Sequence, residues 1–281
     1  MQQKNTAALA LADLELPNAT QEPIPALAYV GGWPINTADM QTAISRIIGR
    51  AKAREAFTVF TLNLDHLVKL RSDEPFRRAY RKADIVTADG APVAWLARLQ
   101  DQSVVRATGS DMLLPMLDAA ADARLPVFLF GSTEEVLTKA AHEIGNVTDG
   151  LLKIAGVLSP SRSFDPEGPE ADRAIETIKR SGARICIVAL GAPKQEIFAE
   201  HARARGLRCG MICSGASLDF LAGAQIRAPG LFRKLGLEWL WRLATNPRRL
   251  AKRYAECAIT LARLLIAEVA RRHLPQPESR A

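Results

Sequence analysis

The stretch Arg184–Glu196, RICIVALGAPKQE, decides how the rest of the chain is read. Residues 185–189 are continuously apolar, as in a strand buried on both faces of a sheet. Gly191, Ala192 and Pro193 then break it, and Pro193 is suited to the first position of a helix. The following run, PKQEIFAEHARARG, has the apolar spacing of that helix. Strand, corner and helix make up part of a β–α–β unit, and such corners are where open parallel sheets hold their ligands. Lys194 suggests phosphate by loose likeness to a Walker loop. Yet neither the Walker formula nor Gly-x-Gly-x-x-Gly occurs here.

The same alternation recurs along the chain. FTVFTLN (57–63) reads as a strand and HLVKLRSDEPFRRAYRKA (66–83) as helical. DIVTADG precedes APVAWLARLQ, and LPVFLFG precedes STEEVLTKAAHEI. In the latter, Ser132 and Glu135 have the spacing of a capping box. LLKIAGV, EADRAIETIKRSG and RCGMICSG complete the series. The pattern predicts an α/β fold with a largely parallel sheet and helices on both faces. The informative side chains then follow the strands: Thr61 and Asn63, Asp89 and Gly90, Gly131, Gly191 to Glu196, and Ser214 to Asp219.

Composition narrows the class. With 281 residues, 48% of them hydrophobic and 24% charged, the chain is globular and neither disordered nor fibrous. Its four cysteines are too few for a disulfide framework, and Cys209 and Cys213 read as buried thiols in a strand, which suits a reducing cytosol. No secretory leader is expected from the opening residues, and no apolar run reaches the roughly 18 residues of a membrane span. The charge is unevenly placed. From Arg227 onward twelve basic residues face four acidic ones, giving +8, while the remainder has 25 and 26, giving −1. The tail therefore faces something anionic.

Three domains follow: an N-terminal extension over 1–28, expected to be poorly ordered, an α/β domain over 29–226 that carries the strand-end candidates, and a basic helical appendage over 227–281. In the appendage Asn246 and Pro247 suit a helix start. Leu250, Tyr254, Cys257, Leu261, Leu264 and Leu265 form a stripe at helical spacing, with basic residues around much of the rest. Such a helix is either plainly solvated or docked on a membrane surface.

At the corners two readings stand side by side. Asp89 is a general base toward a hydroxyl or a cap for the helix 91–99. Thr61 and Asn63 are substrate contacts or turn residues. Arg106, with Gly109, Ser110 and Asp111, is an anion site at a helix N-terminus, or Ser110 is a cap beside a solvated arginine. The four histidines show no metal-ligand spacing, and no Asp-x-Asp pair is present. No metal and no cofactor is expected.

FTLNLDHL, ADIVTADGAPVAW, LGAPKQE and DFLAGAQIRAP…LGLEWLWRLATNPRRLAKRY together resemble the WecG/TagA/CpsF bacterial glycosyltransferases, and GGWPINTADMQTAI is similar to that family's opening strand and helix. The resemblance runs from about residue 29 to 254. It implies a Rossmann-like, inverting, metal-independent enzyme on the cytoplasmic face of the inner membrane. Such an enzyme moves a sugar from a UDP-sugar to a polyprenyl-diphosphate-linked acceptor in surface-polysaccharide synthesis. It further implies Asp89 as the base, with Thr61 and Asn63 beside a sugar. Arg106, Gln195 and Asp219 become donor contacts, and Arg227, Arg242, Arg249, Lys252 and Arg253 meet lipid diphosphate or membrane. Met112 stands where leucine is usual and Asn246 where glutamate is usual. VLSPSRSF lacks an expected aromatic pair, which leaves the donor sugar open. Self-association through the tail is a further expectation, and nucleic acid is not expected as a partner. The rival reading is a non-catalytic basic module that binds membrane or nucleic acid. At the opening corner the resemblance moves attention from Lys194 to Gln195, with Glu196 expected to secure the helix start.

Overall fold

The computed structural model describes residues 24–234 and 236–273, so most of the N-terminal extension lies outside the described residues. A short antiparallel hairpin, β1 (Ala28–Val30) and β2 (Trp33–Ile35), precedes α1 (Met40–Lys52). The main sheet contains β3 (Phe57–Leu62), β4 (Ile85–Ala88), β5 (Val127–Gly131), β6 (Ile154–Leu158), β7 (Ile185–Ala189) and β8 (Gly210–Cys213). Its order is β4-β3-β8-β7-β5-β6 and every pairing is parallel.

Alternate strand residues feed two cores, as the period of two requires. Phe60, Leu62, Phe128, Phe130, Cys186 and Val188 face one core. There they meet α3 (Glu74–Arg81), α4 (Ala91–Arg98), α7 (Pro169–Ser181) and α8 (Lys194–Ala204). Phe57, Val59, Val127, Leu129, Ile185 and Ile187 face the other. That side is closed by α1, α5 (Gly109–Asp122), α6 (Glu134–Val147) and α9 (Ser217–Leu221). The α/β sheet with helices on both faces is thus as the sequence predicts, and it is Rossmann-like.

Local chemistry departs from the sequence reading in three places. The segment 66–83 forms two helices, α2 (Leu64–Lys69) and α3, because Asp73 caps the Phe76 amide and restarts the helix. Thr133, not Ser132, caps α6. Thr108, not Ser110, caps α5 by accepting from the Asp111 amide at 3.0 Å.

The appendage folds as α10 (Gly230–Lys234), α11 (Glu238–Thr245) and α12 (Pro247–His273). Its apolar stripe is turned inward. Leu250 and Cys257 are buried, and Leu261, Leu264 and Leu265 pack on the core beside α2. Apolar contact along this stripe and the pair of Arg253 with Asp65 together hold the tail against the core. Between α10 and α11, Gly236 has φ +72°, and a Cβ there would lie 2.6 Å from the Ala91 Cβ. This closeness brings the tail across the start of α4, next to Asp89. Among the described residues no helix is long and apolar enough to cross a membrane.

Candidate active site

The parallel order sets the strand ends side by side. Along the carboxyl edge run Asp89 (after β4), Asn63 (after β3), Ser214 (after β8), Leu190 (after β7) and Ser132 (after β5). Residues far apart in sequence therefore share one rim.

Asp89 does not cap α4. Gly90 holds that position and makes no side-chain cap bond. The carboxylate instead accepts long hydrogen bonds on Oδ2 from Asn63 Nδ2 (3.4 Å) and Thr61 Oγ1 (3.5 Å). Asn63 serves twice, because its Oδ1 caps α2 by accepting from the His66 amide at 3.0 Å. Desolvation pushes the Asp89 carboxyl up to about 6, and Glu238 adds to the rise. The Asn63 hydrogen bond, Arg242 and Arg106 pull the other way. A carboxylate poised near neutrality on a rim is suited to accept a proton from a hydroxyl.

Around the N-terminus of α5 the cations gather. Arg106 Nη2 lies 3.5 Å from Asp111 Oδ2, and Arg227 Nη2 lies 2.5 Å from Asp111 Oδ1. Burial raises the Asp111 carboxyl, but Arg227, Thr108 and Arg106 outweigh it and hold it below its usual range. Arg227 and Arg242 lie over the ring of Phe220, 5.9 and 5.1 Å from its centroid. The first amides of α5, at Gly109 and Ser110, have no intrahelical acceptor. Gly109 lets α5 approach the loop after β8, since a Cβ there would lie 3.3 Å from the Ser214 Cα. Helix amides and guanidinium groups together favour an anion.

Of the residues named from sequence, Asp89, Thr61, Asn63, Arg106, Gly109, Ser110, Arg227 and Arg242 fall in this region. Asp219 lies in α9, where its Oδ1 accepts from Ser132 Oγ at 3.0 Å. Gln195 is buried, and its oxygen accepts from the Gly215 amide at 3.0 Å. Lys194 donates to the Phe164 carbonyl at 2.8 Å and anchors the loop after β6.

Lys252 and Arg253 are exposed on α12, and Arg253 Nε pairs with Asp65 Oδ1 at 2.9 Å. The Arg249 side chain lies outside the described residues. Sequence reasoning assigned no role to Ser214 and Ser217, whose buried hydroxyls have no hydrogen-bond partner. Their signal was position alone, at the end of a strand. A largely apolar pocket of about 340 Å³, lined by Tyr29, Leu96, Gln100 and Leu264 among others, lies at the far end of α4 from Asp89.

The family model for the "Glycosyl transferase WecG/TagA/CpsF family" matches residues 28–275. The chain belongs to this family. Membership makes it a glycosyltransferase of cell-surface polysaccharide synthesis. The family implies a nucleotide-sugar donor and a lipid-linked acceptor. The match also takes in α10, α11 and all of α12, so the tail is part of the WecG/TagA/CpsF architecture.

Proposed function

We propose that the protein transfers a hexose, N-acetylhexosamine or uronic-acid sugar from a UDP-sugar to a polyprenyl-diphosphate-linked saccharide, with inversion and without a metal. Asp89 takes the acceptor hydroxyl proton as that oxygen attacks the anomeric carbon. The bond from that carbon to the UDP oxygen breaks, and the charge leaves on UDP. Arg106 and the α5 amides at Gly109 and Ser110 stabilise the departing diphosphate, and Arg227, which the family resemblance gave to the acceptor side, joins them because it pairs with Asp111 there. Asp219 faces the nucleoside, and Thr61, Asn63 and Gln195 contact sugar or diphosphate. Arg242, Arg249, Lys252 and Arg253 serve the acceptor diphosphate and the inner membrane face. In this reading the protein works as a peripheral protein there, and copies associate through the tail.

The feature that supports this reading is the Asp89 carboxylate, held by Asn63 and Thr61 on the same rim as the two-arginine cluster of Arg106 and Arg227 around Asp111 at the start of α5. A non-catalytic basic module would give that carboxylate no purpose. The test is a screen of UDP-sugars with a synthetic prenyl-diphosphate sugar acceptor, run on the full chain and on Asp89→Asn. Turnover by the full chain, lowered about 10²–10⁴-fold in the variant with donor binding kept, supports the assignment. Near-normal turnover in the variant removes Asp89 as base.

A further inference from the structure

Glu196 sits behind Gln195 in the first turn of α8, and the reaction outlined above gives it no part. It is 0% exposed. Its Oε1 accepts from Gln195 Nε2 at 2.7 Å, and its Oε2 is buried without a partner. The same Oε1 lies 3.8 Å from His66 Nε2, and His66 Nδ1 meets the Tyr80 hydroxyl at 2.6 Å. On the far side, the Gln195 oxygen accepts from the Gly215 amide. A run of buried polar groups thus leads from Tyr80 on α3, through His66 on α2 and Glu196 and Gln195 on α8, to the loop after β8.

A carboxyl in an apolar core is costly, and an aliphatic residue would fill the space without that cost. What an aliphatic residue lacks is an acceptor for the nitrogen end of the neighbouring amide, so that the Gly215 N–H alone would hold the orientation. The oxygen and nitrogen ends of glutamine have nearly the same shape, so packing alone does not select one. With the Glu196 Oε1 acceptor on one side and the Gly215 N–H on the other, the nitrogen end fits the first and the oxygen end the second. The flipped amide would oppose its own NH₂ to the Gly215 N–H and its oxygen to a carboxyl oxygen.

We propose that Glu196 is a positioning residue. It sets the orientation of the Gln195 amide, which holds Gly215 and thereby seats the Ser214–Ser217 turn against the N-terminus of α5. The contact between Ser214 and Gly109 is the close approach already described. The turn carries the two unpartnered serine hydroxyls, so its position decides whether they face a ligand at that terminus. The catalytic consequence rests on the donor-pocket reading, whereas the structural one does not.

The test uses the full chain and compares Glu196→Gln, Glu196→Leu and Gln195→Leu. Hydrogen exchange at the Gly215 amide reports the positioning without any substrate. Glu196→Gln keeps an acceptor oxygen, and it is expected within about threefold of wild type in exchange and in KM for the donor. The two leucine variants are expected to speed Gly215 exchange by about tenfold or more. They should also raise KM for the UDP-sugar more than they lower kcat, and the double variant should be no worse than either.

Wild-type exchange at Gly215 in a folded Glu196→Leu overturns the proposal. If Glu196→Leu does not fold, the wild type decides. One slowly exchanging hydrogen on the Gln195 side-chain NH₂ supports the proposal, and two equally fast ones overturn it. A wild type that turns over no UDP-sugar removes the donor reading and leaves the exchange result standing.

Discussion

Arg253 Nε lies 2.9 Å from Asp65 Oδ1, and this pair joins the tail to the helix that Asn63 caps. Asp65 also takes Lys69 Nζ on its other oxygen, with only 10% of its side chain exposed. The cap residue of the same short helix donates to Asp89. Where α12 sits therefore bears on where the candidate base sits, through six residues of α2.

Replacing Asp65 with Asn should loosen this junction. Two cations lose their shared carboxylate, and about 1–2 kcal/mol of stability is expected to go with it. Denaturant melts of the full chain measure the loss. Limited proteolysis should show α12 cut before the sheet domain. An unchanged melt together with an equally resistant tail would mean that apolar contact alone sets the docking.

The pH profile of turnover should report Asp89. A base acts when deprotonated, so kcat/KM is expected to rise with pH through about 6 and to level off above. The stability effect runs the opposite way. The folded group binds its proton more tightly than the unfolded one, so its contribution is present below 3.8 and lost as pH rises through about 6. Asp89→Asn should therefore melt higher than wild type at pH 8 while turning over more slowly, a trade seen at many active sites.

Glu196 and His66 should shape the stability curve from opposite sides. Desolvation raises Glu196 from 4.5 to about 7, so stability is full below 4.5 and lost as pH rises to about 7. Desolvation lowers His66 from 6.5 to about 3, so stability is full above 6.5 and lost as pH falls toward 3. Glu196→Gln removes the first effect only. It should exceed wild type by about 3 kcal/mol at pH 8, with the gap closing below pH 4.5. Thermal melts at several pH values test this, and a gap independent of pH would contradict it.

Arg227→Ala should weaken UDP binding by about tenfold or more, because a charge-assisted donor at the α5 terminus is lost. Calorimetric titration with UDP at two salt concentrations provides the check. The variant should also show a smaller salt dependence than wild type. Equal affinity would place the diphosphate elsewhere.

Gly236→Val should displace the tail. The backbone there is left-handed, and the new Cβ meets Ala91. A cost of about 1–3 kcal/mol is expected, seen as faster proteolysis after residue 226 with the sheet domain intact.

Much of the fold was legible because its signal is local. Runs such as ICIVA and VFLFG are apolar without interruption, only five residues long and followed by turn residues, which suits strands buried on both faces. The rim residues Asp89, Asn63 and Ser214 followed directly, because strand ends in parallel sheets face one edge. Caps were read less well. Ser132 against Thr133 and Ser110 against Thr108 differ by one or two residues, and either hydroxyl satisfies the sequence rule. Backbone geometry chose between them, since Ser132 adopts φ +47° while Thr133 is extended.

The sequence by itself determined the alternation of strands and helices, the separation of charge into a basic tail, and the family to which these motifs point. Tertiary structure decided what the motifs touch. The stripe on α12 is a periodicity, and periodicity does not say whether a membrane or α2 covers it. Asp89 as a cap or as a carboxylate held by Asn63 on the rim, Arg253 as a free cation or as the partner of Asp65, and Glu196 as helix start or as buried acceptor were equivalent in one dimension. They separate only when packing fixes which groups lose water together, because desolvation and pairing depend on neighbours in space.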